Sequence, residues 1–152
     1  EERGRSVFLL GATDEVIEET ARVVRKKHPN IRIGGYHHGY FWDDEEAVVR
    51  EIRDSKSDLL FVGIVSPLKE KFIERWKDDL GVAFAMGVGG TFDVVSGKTK
   101  RAPKWMQTAG LEWFFRVLQE PRRMWKRYLY TNSRFAMMVF SRLLHRGSRA
   151  AR

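Results

Sequence analysis

With 152 residues and no cysteine, the chain is long enough for one core-forming domain plus an appendage, and disulfides and thiolate metal sites are excluded. No segment reaches the roughly 18 consecutive apolar residues of a membrane span. The net charge of +8 is unevenly placed: from Gly97 onward fourteen Lys and Arg face two acids, a balance of +12, which leaves −4 on residues 1–96. A basic tail on an acidic body points to an anionic partner: phosphate, nucleic acid or lipid headgroups.

Ser6–Leu10 is a short apolar run closed by Gly11 and reads as a buried strand. Thr13 or Asp14 is placed to cap the helix that follows, whose Val16, Ile17, Ala21 and Val24 share a face and which Pro29 and Asn30 stop. Ile31–Tyr36 reads as a second strand weakened by Gly34 and Gly35. Asp43 or Asp44 caps a second helix running to about Asp54, and Asp58–Val62 is a third strand ended by Gly63. Pro67–Leu80 is expected as a third helix with Phe72, Ile73, Trp76 and Leu80 inward, and Val82–Val88 as a fourth strand. This alternation predicts a Rossmann-like α/β fold, a parallel sheet with flanking helices. After Gly97 the spans Pro103–Thr108, Leu111–Glu120 and Pro121–His145 all read as helical and basic. The expected division is residues 1–110 as the α/β domain and 111–152 as a basic helical appendage.

Glycines cluster where strands end, and open α/β sheets bind ligands at the carboxyl ends of their strands. The stretch GVGGTFD, Gly87–Asp93, follows a strand; its paired Gly89 and Gly90 let the backbone approach a ligand, and free N–H groups there can cradle phosphate. The spacing matches neither a dinucleotide fingerprint nor a P-loop. Asp93 reads either as a carboxylate for a sugar or base or as a helix N-cap. Ser66–Phe72, SPLKEKF, opens the third helix at a strand end, with Pro67 suited to the first helical position; Ser66 and Lys69 are candidate diphosphate contacts. In HHGYF, His37 and His38 point to opposite faces of a strand and make a poor metal pair, so no metal site is expected. Tyr40 and Phe41 stack on a base or fill core, and the pattern alone favours core. Asp43–Glu46 reads as a helix start rather than a metal-nucleotide site. Between Arg116 and Arg127 cations interleave with large aromatics, which favours an anionic membrane surface over nucleic acid.

Taken together, these stretches resemble the WecG–TagA–CpsF glycosyltransferases. The resemblance rests on Gly87–Arg123, with its RAP, GLEW and EPRR elements, and on FLLGA at Phe8–Ala12, HHGYF at His37–Phe41 and DLLFVGIVSP at Asp58–Pro67. It implies a metal-independent, inverting transfer without cofactor. An N-acetylmannosamine-type sugar moves from a UDP-sugar donor to a polyprenyl-diphosphate-linked acceptor at the cytoplasmic membrane face, in teichoic acid, common antigen or exopolysaccharide synthesis. It implies donor contacts at Tyr40, Ser66, Pro67, Lys69, Glu70, Gly89, Gly90 and Asp93. Lipid or diphosphate contacts are implied at Arg116, Arg122, Arg123, Lys126 and Arg127. No nucleic-acid partner is expected, and a homo-oligomer is compatible with the pattern.

The chain departs from the family pattern twice. The resemblance begins inside the family's sequence, past T-P-N and P-D-G stretches whose Asp is the implied base, so the catalytic residue is expected outside these 152 residues and the isolated chain is expected to be inactive. The family's turn G-x-P-[KR]-Q-E-x-W is met here by Val65, Ser66, Pro67, Leu68, Lys69, Glu70, Lys71 and Phe72, which puts Lys69 where an amide is usual. The rival reading is a non-catalytic module that binds nucleotide or membrane without transfer.

Overall fold

The computed structural model describes residues 4–119 together with Pro121, Tyr130, Ser133, Phe135, Met137 and Met138. The chain divides into two compact units, residues 1–100 and 101–152.

The first unit alternates β1 (Ser6–Gly11), α1 (Asp14–Lys27), β2 (Arg32–His37), α2 (Glu45–Asp54), β3 (Leu59–Gly63), α3 (Leu68–Trp76), β4 (Phe84–Gly87) and α4 (Thr91–Val95). The four strands form one sheet in the order β2-β1-β3-β4, and all three pairings are parallel. β1 lies inside and is buried along its whole length, as a strand covered on both faces must be. Its alternate residues feed two cores. Val7 and Leu9 pack with Val16, Ile17 and Ala21 of α1 and Phe92 of α4. Phe8 and Leu10 pack with Val48, Val49 and Ile52 of α2 and Phe72 of α3. Helices thus flank the sheet on both sides, and the expected α/β fold is the one observed.

Local chemistry accounts for most boundaries. Asp44 Oδ1 accepts from Ala47 N at 3.1 Å and caps α2, with Glu45 and Glu46 in the first turn against the dipole. Glu45 also ties α2 to α3, accepting from Arg75 Nη1 at 3.0 Å and Trp76 Nε1 at 2.8 Å. Thr13 occupies the N-cap of α1, yet its hydroxyl makes no cap bond. β2 spans Arg32–His37, one residue on from the Ile31–Tyr36 expected, and slips register against β1 at Gly34.

Other boundaries move further. The third helix ends at Trp76, not Leu80: Asp79 and Leu80 both donate their N–H groups to Trp76 O in a closing turn, which still delivers Leu80 to the core. Pro67 is the N-cap of α3 rather than its first residue, after a cis Ser66–Pro67 bond. β4 starts at Phe84 instead of Val82, because Asp58 O draws in both Ala83 N and Phe84 N. Helix α4 starts at Thr91, ahead of the start that an Asp93 cap would give; Thr20 Oγ1 of α1 donates to Phe92 O at 3.1 Å and fixes it.

In the second unit, α5 (Lys104–Thr108) and α6 (Glu112–Gln119) are joined by a turn in which Gly110 takes φ +71 and Leu111 N donates to Met106 O at 2.8 Å. Gln107 Nε2 donates to Ala102 O at 2.6 Å. Trp113, Phe114 and Leu118 of α6 are exposed. The expected helix Pro121–His145 lies almost wholly outside the described residues, as do Arg122, Arg123, Lys126 and Arg127.

Candidate functional site

The chain leaves β1 toward β2 and returns past it to β3, so the order of travel reverses between β1 and β3. That switch point, at the carboxyl ends, is where a parallel α/β sheet opens a crevice. The backbone there is packed to the limit of glycine. Gly11 has φ +136, and a Cβ on it would stand 2.6 Å from the carbonyl carbon and oxygen of Gly63. A Cβ on Gly63 would stand 2.4 Å from the Phe92 ring. Gly39 N donates to Ala12 O at 2.9 Å, which fastens the end of β2 to the end of β1.

Three turns rise from this floor. After β2, Tyr40 is held by its own N–H, which donates to His38 Nδ1 at 3.0 Å; its side chain is 71% exposed. The expectation of a core role is therefore corrected for Tyr40, whereas Phe41 is buried and meets the Phe72 ring edge-on at 5.3 Å. After β3, Ser66, Lys69 and Glu70 form one cluster. Lys69 Nζ lies 2.7 Å from Glu70 Oε1, and Ser66 Oγ donates to the same oxygen at 3.1 Å. The hydrogen bond from the Lys69 ammonium, helped by the backbone N–H and Ser66, holds the Glu70 carboxyl below the usual range. The Lys69 stem crosses to β4: a Cβ on Gly87 would meet its Cε at 2.5 Å. Two N–H groups of the α3 start, those of Leu68 and Lys69, already donate to Val65 O at 3.0 and 3.3 Å, so an anion arriving here meets the Lys69 side chain more than bare helix amides.

After β4, Val88 N donates to Val62 O at 2.9 Å, and Thr91 Oγ1 returns to Val88 O at 2.6 Å. Gly89 sits between them at φ +54 with open space where a side chain would be. Gly90 is the N-cap of α4, so Asp93 is not the cap. Asp93 lies in the first turn, half-buried, with Lys98 Nζ 4.0 Å from its Oδ1 and Thr99 N donating to its carbonyl at 2.8 Å. Lys69, Gly87 and the Gly89–Asp93 turn are thus adjacent through β3 and β4. Tyr40 follows β2, on the far side of β1, two strand spacings or about 10 Å from β3 and three or about 14 Å from β4. Thr13 was read only as a cap. Its hydroxyl, on the turn after β1, is buried without a hydrogen-bond partner, an exception among buried polar groups. No spacing in the sequence marks it; only the topology puts it at the switch point. Arg116 is exposed on α6 in the second unit.

The fold defines a parallel α/β domain, a class whose ligands sit at the carboxyl ends of the strands. The chain belongs to the glycosyl transferase WecG/TagA/CpsF family, whose model matches residues 1–149. It is 41% identical over 125 residues, 82% of its length, to an N-acetylglucosaminyldiphosphoundecaprenol N-acetyl-β-D-mannosaminyltransferase of Bacillus subtilis (strain 168), covering 48% of that protein. Proteins of the same name from Bacillus spizizenii and Staphylococcus aureus (strain MW2) are 40% identical over 129 residues and 38% over 123. Those matches take 85% and 81% of this chain, and 49% and 46% of the relatives. The chain thus spans about half the length of the curated relatives it matches.

Proposed function

We infer that this chain is the donor-binding part of a glycosyltransferase that moves an N-acetylmannosamine-type sugar from UDP to a polyprenyl-diphosphate-linked acceptor. The observation that carries the reading is the Lys69–Gly87–Asp93 neighbourhood at the strand ends, in a chain of this family. The relatives are named as N-acetyl-β-D-mannosaminyltransferases of N-acetylglucosaminyldiphosphoundecaprenol. Lys69 is a cation in the first turn of α3, Gly89 and Gly90 allow close backbone approach, and Asp93 is a carboxylate suited to hydroxyls. Ser66, Pro67 and Glu70 shape the turn that holds Lys69, and Tyr40 offers an exposed ring for stacking. The transfer is metal-independent and inverting in this reading, with Asp93 occupied by the donor rather than acting as base. Calorimetry with UDP on the parent chain and on Asp93→Ala is the test: a marked loss of affinity is expected, and equal affinity removes Asp93 from the site.

The acceptor's lipid brings the reaction to the cytoplasmic membrane face, where the enzyme acts peripherally. No helix among the described residues is long and apolar enough to cross a membrane. Arg116 with Arg122, Arg123, Lys126 and Arg127 supplies the contact with anionic headgroups or the acceptor diphosphate, at about 1 kcal/mol per cation near such a surface. The exposed Trp113, Phe114 and Leu118 of α6 support this reading. Co-sedimentation with anionic vesicles is expected to fall at high salt and on truncation after Gly110; a truncated chain that stays folded and binds as well as the parent sinks the membrane role of the tail.

A further inference from the structure

The two edges of the sheet are finished differently. Along β2 the ladder is broken by a register slip at Gly34, and Arg32 stands exposed; a bulge and a charge both discourage a further strand. β4 has neither device. Phe84 N and Val88 N donate toward β3, to Asp58 O and Val62 O. Alternation along a strand then turns the N–H and C=O groups of Ala85 and Gly87 outward, away from β3. The face beside that edge is apolar and bare. Phe84 is 54% exposed and Met86 43%. Their register partners are Leu59 and Phe61, on the side of the sheet that α1 covers over β1 and β2. Ala85, pointing the other way, packs into the α2–α3 core. All-parallel sheets are ordinarily covered on both faces, and an open edge next to exposed large apolar side chains is an interaction surface.

The occupant follows from length. The matched span is only 48%, 49% and 46% of the relatives from Bacillus subtilis, Bacillus spizizenii and Staphylococcus aureus. We propose that β4 takes up a fifth strand from the half of the relatives' length outside the match, and that the segments around this strand cover Phe84 and Met86. A strand paired along β4 has one of its ends beside Gly87, whichever way it runs. It therefore carries residues of that other half to the rim of the Gly89–Asp93 turn, and the crevice is finished by groups this sheet does not supply. The inference stands on the edge and the face, not on the identity of the transferred sugar.

The test is co-expression of the tagged 152-residue chain with the unmatched half of the Bacillus subtilis relative, followed by hydrogen exchange of the Ala85 and Gly87 amides. The two halves are expected to co-purify, and those amides to exchange on the order of tenfold or more slowly than in the chain alone. Phe84→Glu with Met86→Glu alters two exposed positions, so the circular dichroism of the chain should be unchanged while the complex is lost. Three results overturn the proposal: no complex forms, the complex survives the double substitution, or the two amides are already slow in the chain alone. Slow exchange that depends on concentration would assign the face to a second copy, and slow exchange that does not would assign it to the chain's own tail.

Discussion

The two ends of the same parallel strands are built on opposite plans. At the amino end, side chains bond to one another. Asp58 accepts from Ser6 N at 2.8 Å, Ser6 Oγ at 2.9 Å and Arg5 Nη1 at 2.8 Å, and Ser6 Oγ in turn accepts from Asp58 N at 3.1 Å. These contacts join the starts of β1 and β3. At the carboxyl end, backbone meets backbone through Gly11, Gly39 and Gly63, while Tyr40, Ser66 and Glu70 reach into solvent. The first arrangement fixes the strands. The second leaves the exposed Tyr40 and the Ser66–Lys69–Glu70 cluster, bonded to itself, beyond the strand ends rather than tying strand to strand. Stability and binding should therefore respond to different residues.

One position breaks that rule, and it gives the largest expected effect. Gly11 lies at the carboxyl end, yet the sheet depends on it. Gly11→Ala combines an unfavourable φ with a Cβ only 2.6 Å from the Gly63 carbonyl. Backbone has no rotamer with which to yield, so β1 and β3 must separate. The expected loss is on the order of 3–5 kcal/mol, read as a lower urea midpoint. A variant within about 1 kcal/mol of the parent would show that the strands are not packed this closely.

The amino-end network comes next. Ser6→Ala removes the hydroxyl that serves Asp58 from a buried position and should cost about 1–3 kcal/mol. It also makes a prediction in pH. Hydrogen bonds from Ser6 N–H, then Arg5, then the Ser6 hydroxyl depress Asp58 from 3.8 to about 2. Since the folded value lies below the unfolded one, this stabilisation is complete above roughly pH 4 and is lost as pH falls toward 2. Urea midpoints of the parent should drop across that window. Asp58→Asn should flatten this part of the profile, and an unchanged slope would place the acid sensitivity elsewhere.

Much of this fold could be read in advance because short apolar runs and their punctuation carry it. β1, β3, α1 and α2 fall close to their expected limits, and Asp44 caps as its position before the Glu45–Glu46 turn suggested. What escaped depends on partners distant in sequence. Helix α4 is only five residues, too short for a period, and its start is fixed where Thr20 and Phe92 meet. Tyr40 and Phe41 are neighbours of like composition, and only the nearby Phe72 ring decides that Phe41 goes in. The expected strand Val82–Val88 includes Phe84 and Met86 but says nothing of their being bare, since a strand reading does not report what covers a face. The glycine clusters fall at the carboxyl ends of the strands, as read; the buried Thr13 hydroxyl was not marked because a lone threonine before a helix reads as a cap.

The smallest effect on stability should carry a large effect on binding. Lys69→Gln restores the amide usual in the family at this turn. The Lys69–Glu70 pair is open to solvent on the Glu70 side, with side chains 19% and 53% exposed, and ion pairs that solvent reaches add little to stability. The urea midpoint should thus hardly move. If the ammonium meets the donor diphosphate, its removal deletes a charge-assisted hydrogen bond worth about 1.5–3 kcal/mol, and UDP affinity should fall by roughly 10- to 150-fold. Glu70 now holds that ammonium at 2.7 Å, so it competes with phosphate. Glu70→Gln should then tighten UDP binding, and the gain should vanish in the Lys69→Gln, Glu70→Gln double variant. Were Glu70 instead to hold a donor hydroxyl, Glu70→Gln would weaken a UDP-sugar while sparing UDP. Were neither substitution to change either affinity, the turn after β3 would be scaffold, and the phosphate would have to be sought at Gly89, Gly90 and the buried hydroxyl of Thr13.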